Sequence, residues 1–144
     1  MHHGKRVTAP EAVRAADHRR GLGQQGEQLA VAHLERLGYA TLARNVRTRY
    51  GELDVIAFDG QALVFVEVKT RRVRASAPPT SGAREPLLGL SQAQRIRQRR
   101  LARSWLANPQ TPRLRAESIR FDAIGVSVDH LGRLLHIEHI EGAW

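Results

Sequence analysis

From Leu22 the apolar positions follow a helical period: Leu22, Gly26, Leu29, Ala30, His33 and Leu37 fall on one arc, and Gly38 ends the run. This predicts a first helix over about residues 22–37. The period then shortens to two. "YATLARNV" reads as a strand, and "GELDVIAF" and "LVFVEVK" read as two more, joined by a tight turn at Asp59 and Gly60. The stretch "RRVRASAPPTSGAREP" has no period and is rich in Pro, Ser, Gly and Arg, which predicts an exposed loop. A helical period returns from Ser91, the expected N-cap, to Ala107. "SIRFDAIGVSV" and "LLHIEHI" follow as two strands around a "DHLG" turn. The order helix, three strands, helix, two strands predicts a single α/β domain over residues 21–144. Residues 1–20, "MHHGKRVTAPEAVRAADHRR", hold few large apolar side chains and are expected to form a mobile basic arm with room for a short helix.

Composition narrows the chemistry. A chain of 144 residues can bury a real core around a sheet. No apolar run approaches the roughly 20 residues needed to span a bilayer, and the N-terminus is polar, so a cytoplasmic protein with no membrane partner is expected. The chain has no cysteine, which excludes disulfides and thiolate metal sites. Its 23 Lys and Arg against 14 Asp and Glu give a net charge of +9, which favours a polyanionic partner.

The hairpin gathers acids. With Asp59 and Gly60 as the central turn residues, Asp54 stands opposite Phe65 and Glu52 opposite Glu67. Alternation then sends Glu52, Asp54, Glu67 and Lys69 to one side, and Leu53, Val55, Ala57, Val64, Val66 and Val68 to an apolar side. A four-residue loop would keep the same faces. Asp54 and Glu67 become diagonal neighbours, roughly 7–8 Å apart at their backbones and within reach of one ion. Gathered carboxylates repel, and a partly buried acid costs several kcal/mol unless compensated. A divalent cation compensates them, and hard oxygens without cysteine suit Mg²⁺ or Mn²⁺ rather than Zn²⁺. Lys69 could then orient a metal-bound water or stabilise charge on a phosphate, which is the chemistry of phosphodiester hydrolysis. The competing reading makes Glu67 and Lys69 an ordinary strand ion pair and Asp54 a turn cap. For E-x-K alone that reading wins; an acid of matching parity on the preceding strand shifts the balance to a site.

The helices add candidates. Glu27 lies at the edge of the first helix's apolar arc, with Gly23 and Gly26 offering little bulk, so it can reach the sheet; equally, it can serve as a favourable acid in the first helical turns. On the second helix Leu90, Ala93, Leu101 and Trp105 are expected inward, and Gln94 and Gln98 on the same arc need partners. Arg95, Arg99 and Arg103 form an outward stripe of one sign, expected to contact phosphates. Arg71, Arg72, Arg74 and Arg84 sit in the predicted loop, where they could close over a bound strand. The content of that loop also permits plain disorder. His33 is expected to be a satisfied core histidine.

Asp54 followed by Glu67-Val68-Lys69 resembles the PD-(D/E)xK signature of restriction-endonuclease-like nucleases, with Leu53 in place of the usual proline. "GEQLAVAHLERLGY", "RNVRTRYGELDVIA", "FVEVKTR" and "RFDAI" together resemble the YraN-like family of small bacterial proteins, which is similar in turn to archaeal Holliday-junction resolvases. The resemblance covers roughly residues 21–140. It implies a restriction-endonuclease-like fold, a mixed central sheet flanked by helices. It also implies Asp54, Glu67, Glu27 and the Val68 carbonyl as metal ligands, Lys69 as the catalytic lysine, and Glu52 and Gln94 as supports around them. The position matching Gln94 is usually lysine in that family, so this chain departs from it there. Arg120-Phe121-Asp122 matches the family's R-F-D and is expected to be structural. The implied function is a metal-dependent endonuclease acting on branched or structured DNA, as a homodimer. A nucleic-acid-binding module with weak or no catalysis is the competing expectation.

Overall fold

The computed structural model of the protein describes residues 9–74, 91–111 and 115–144, with side chains in the first helix from Gly21 onward. Helix α1 runs over Ala9–Arg36, beginning well before the predicted start at Leu22. Pro10 is tolerated in a first helical turn and the alanines after it are strong helix formers, so the low hydrophobicity of this segment does not prevent helix. Residues 1–8 of the predicted arm lie outside the described residues. Gly38, at φ 91°, ends the helix; its N–H donates to the Glu35 carbonyl while the Tyr39 N–H donates to Leu34.

Five strands follow the predicted order: β1 (Ala40–Thr48), β2 (Gly51–Phe58), β3 (Ala62–Arg72), then α2 (Gln92–Ala107), β4 (Ser118–Val128) and β5 (Leu134–Ile140). They form one sheet in the order β1-β2-β3-β4-β5. Only β3 and β4 are parallel, as the intervening helix requires. The sheet is mixed and flanked by the two helices, the architecture expected for a restriction-endonuclease-like fold. Ala30, Val31 and Leu34 of α1 pack with Val55, Ala57, Val64, Val66 and Ile124. Leu101 and Ala102 of α2 pack on the other layer with Ile56, Leu63 and Phe65. Among the described residues no helix is long and apolar enough to cross a membrane.

Three local expectations change. The hairpin turn is displaced by one residue: Phe58 pairs with Leu63 and Val55 with Val66, so Gly60 and Gln61 are central. The Asp59 carboxylate accepts the N–H groups of Gln61 and Ala62, and Gly60 takes the positive φ of 104° that the bend needs. Strand β3 extends through Arg72, paired with Val128, so Arg71 and Arg72 belong to the sheet and not to the loop. From residue 75 on, that loop, including Arg84, lies outside the described residues. On α2, Gln98, Leu101 and Ala102 are buried and Ala93 is exposed. The helix meets the sheet through its middle, leaving its first turn in solvent; Leu90 lies outside the described residues.

The R-F-D segment of β4 is structural, as expected. Phe121 stacks on Phe65, and Asp122, fully buried, accepts from Arg120, His139 and the Gly142 N–H. His33 joins the same network through His139 at 3.2 Å, so it is partnered as expected, though half-buried at the edge of the core and not within it. Its pKa is lowered, first by burial and then by its neighbour His139.

Candidate functional site

The acids meet where β2 and β3 part. Their pairing ends at Val55 and Val66, so Asp54 and Glu67 are the next residues across the gap and face one another directly. The expected diagonal placement is corrected by the displaced turn. Beyond this last pair the Asp54 carboxylate takes the N–H of Val68 at 2.9 Å, which pins the acid between the strands.

A second irregularity lies beside it. Strands β1 and β2 pair at Arg44 with Val55 and at Val46 with Leu53, and the residues between, Asn45 and Asp54, are not paired. Asn45 adopts φ 51°, the left-handed conformation that asparagine tolerates better than most residues. The alternation of β2 slips here. Val55 and Ala57 face α1, whereas Leu53 packs in the cluster of Leu101, and a Cβ at Gly51 would also meet Leu101. Leu53 therefore leaves the apolar side predicted for it. One oxygen from each of Glu52, Asp54 and Glu27 lies within 4.8 Å of the others.

Both helices contribute. Gly26 is buried against β3, where any Cβ would overlap the Thr70 side chain. That close approach carries the next residue, Glu27, to the fork, and the Asn45 side chain hydrogen-bonds it. From the other face, Gln98 of α2, only 8% exposed, donates through Nε2 to Glu67 Oε2 at 2.8 Å. Lys69 Nζ stands 3.4 Å from Glu67 Oε1. A cleft lined by Glu52, Asp54, Glu67 and Lys69 is completed by Gln94, Arg97 and Gln98 of α2.

The electrostatics follow from this crowding. The Asp54 pKa is pushed up to about 8, first by burial, then by Glu67, and further by Glu27 and Glu52 against the relief of the Val68 N–H. Burial also raises Glu67, opposed by Lys69, by a hydrogen bond with Asp54 and by Arg97. Glu27 is raised by burial, with Asn45 and Arg44 pulling the other way. Without a cation, Asp54 and Glu67 favour sharing a proton over carrying two full charges.

The structure thus brings together Glu27, Glu52, Asp54, Glu67 and Lys69, with Val68 bound to Asp54. Gln94 lines the cleft but spends its side-chain oxygen on the Ser91 N–H in a capping box. Gln98 is the glutamine that touches an acid. Its place on the buried arc was the available signal; for Asn45 and Arg97 the sequence carried none. Arg95, Arg99 and Arg103 are exposed and line neighbouring clefts instead. Arg74 is exposed just beyond β3.

Comparison with known proteins agrees with these motifs. The family model described as "Uncharacterised protein family UPF0102" matches residues 26–126. A UPF0102 protein of Mycolicibacterium gilvum is 44% identical over 128 residues, covering 88% of this chain and 95% of the relative. One from Geobacter metallireducens is 39% identical over 127 residues, covering 88% and 94%. One from Frankia alni is 43% identical over 134 residues, covering 92% and 99%. The matched span holds Glu27 and every residue that lines the cleft, through Gln98 on α2, and the chain belongs to the UPF0102 family, the YraN-like family that its motifs resemble.

Proposed function

We propose that the protein is a metal-dependent DNA endonuclease that hydrolyses phosphodiester bonds in branched or structured DNA, working as a homodimer in the cytoplasm. The observation that carries this reading is the convergence of Glu27, Glu52, Asp54 and Glu67 beside Lys69. Ordinary strand ion pairs would leave balanced charge; here burial raises three of the acids, and repulsion from neighbouring carboxylates adds to it for Asp54 and Glu27. Glu27 Oε2 is buried with no hydrogen-bond partner among the described residues, which fits a ligand oxygen aimed at a cation. Asp54, Glu67, Glu27 and the Val68 carbonyl would hold Mg²⁺ or Mn²⁺, with Glu52 adjacent, a donor set of hard oxygens only. Bound there, the ion would supply Lewis-acid activation of water and phosphate.

The chain's own residues supply the rest. Gln98 fixes the rotamer of Glu67, and Val68 that of Asp54. The Lys69 ammonium, already on Glu67, is placed to hold an attacking water or a phosphate oxygen. Arg97 adds positive charge to the same wall. Arg71, Arg72, Arg74, Arg95, Arg99 and Arg103 would contact phosphates farther along the strand. A gel cleavage assay tests the reading with a labelled four-way junction and its linear counterpart in Mg²⁺, Mn²⁺ or EDTA. Metal-dependent product lost in Glu67→Ala is expected; no product in either metal overturns it.

A second reading, a binding module with weak catalysis, is favoured by Gln94. Engaged in the cap of α2, it brings no charge to the cleft where the resembling family usually has lysine. Salt-sensitive DNA binding without cleavage would select that reading.

A further inference from the structure

Helix α2 has two working arcs. At about 100° per residue, Gln94, Arg97 and Gln98 share the arc that walls the acidic cleft, while Arg95, Arg99 and Arg103 fall on the next. Along this second arc lie two shallow clefts that meet at Arg99. One is lined by Arg95, Ile96, Arg99 and Trp144, the other by Arg99, Arg103, Leu106, Ile119 and Phe121. Neither is a plain basic surface. Ile96 is 54% exposed and Ile119 51% exposed beside the arginines. Behind them Trp144 stacks on Phe121 with ring centroids 6.0 Å apart, and Phe121 stacks on Phe65 at 5.5 Å, so the apolar wall is rigid.

Phosphates alone do not need such walls. Duplex backbone is contacted by charge, and its bases are hidden in the stack. Unpaired bases have exposed flat faces, which are covered by guanidinium planes, aromatic rings and apolar side chains. A second copy of the chain is a poor occupant. An isologous contact through α2 would set Arg95, Arg97, Arg99, Arg100 and Arg103 against the same five, and the helix carries no acid to answer them. The charge selects a polyanion and the apolar walls select one with exposed bases.

We propose that the two clefts along α2 take unpaired nucleotides of a strand that passes the acidic cleft, making single-stranded segments the feature that the protein selects in DNA. This deepens the nuclease reading by naming its substrate class. Its test is binding in EDTA, so the two can fail separately. The chain has two tryptophans, Trp105 and Trp144. Trp105 packs edge-on against Phe65 and gives the steady background, while Trp144 reports on the first cleft.

Fluorescence titrations would use oligo(dT), a blunt duplex and an abasic strand, all of equal length and at one salt concentration. Quenching of Trp144 by oligo(dT) is expected, with affinity about tenfold above that for the abasic strand, the worth of a single good base stack. Trp144→Ala should remove the quench, and Ile119→Ser, on the second cleft, should weaken oligo(dT) binding while circular dichroism confirms the fold. Equal affinity for abasic strand and oligo(dT) overturns the proposal, because phosphates then explain everything. Tighter binding to blunt duplex overturns it too, as does displacement of oligo(dT) by oligo-glutamate at comparable concentration, which would mark an acidic protein partner. Tight oligo(dT) binding with no cleavage in Mg²⁺ or Mn²⁺ supports the clefts and removes the nuclease.

Discussion

Asp54 is the residue on which strand geometry and charge converge. Its folded pKa of about 8 lies above the ordinary 3.8, so the folded state holds the proton more tightly. Between those values the native protein binds more protons than the unfolded chain, and stability falls as pH rises. Metal-free protein is therefore expected to lose thermal stability from about pH 4 to about pH 8, and Asp54→Asn to flatten that slope and melt a few degrees higher at pH 8, read by calorimetry. Flat profiles in both would refute the crowding. Gln98 makes a separate prediction: Gln98→Ala frees Glu67 and, under the proposed function, should lower cleavage by roughly 10–100-fold, as losing the support of a metal ligand would. A wild-type rate in Gln98→Ala would show that Glu67 needs no holding. Asp54, Glu67 and Lys69 could be set on one side by strand parity, whereas the helical wheel alone left Glu27 open between the site and an acid that complements the helix dipole. Asn45 could not be read, because nothing in "RNVR" announces a left-handed residue inside a strand. Both Asn45→Gly and Asn45→Ala lose the hydrogen bond to Glu27, so the conformation predicts that Asn45→Ala is the less stable of the two by roughly 1–2 kcal/mol in urea unfolding.

At the scale of elements, the docking of α1 on β3 depends on the missing side chain of Gly26. Gly26→Ala should raise helix propensity yet destabilise the protein by roughly 1–3 kcal/mol, since the helix must lift from Thr70. Thr70→Ala in the same chain is expected to recover part of the loss; a stabilised single variant would contradict the close packing. Strand and helix order were legible because each segment keeps its own period. The hairpin position slipped by one because Asp59 uses its side chain, not its place in the turn, to bind Gln61 and Ala62. The reach of β3 to Arg72 was hidden in a basic, proline-flanked stretch, and its parallel partner β4, distant in sequence, decides it.

For the whole molecule, net charge of +9 and the absence of cysteine limited the partner and the donor atoms before any geometry was known. How the two helices enclose the fork depends on contacts far apart in sequence, such as Gln98 with Glu67, which periodicity does not encode. Under the proposed function, millimolar Mn²⁺ should raise the melting temperature of the wild type and leave Asp54→Asn unmoved, because the ion would bind the folded acids alone; equal shifts would place the ion elsewhere.

The parallel pairing of β3 with β4 also has a meaning in time. A ribosome has joined Glu27, Glu52, Asp54, Glu67 and Lys69 by the time it reaches residue 70, yet β4, which braces β3 along its whole length, begins only at Ser118. Gln98 is made in between. A growing chain therefore carries the acids of the fork long before β4 braces their strand, and under the proposed function it becomes able to cut only once its own synthesis is nearly done.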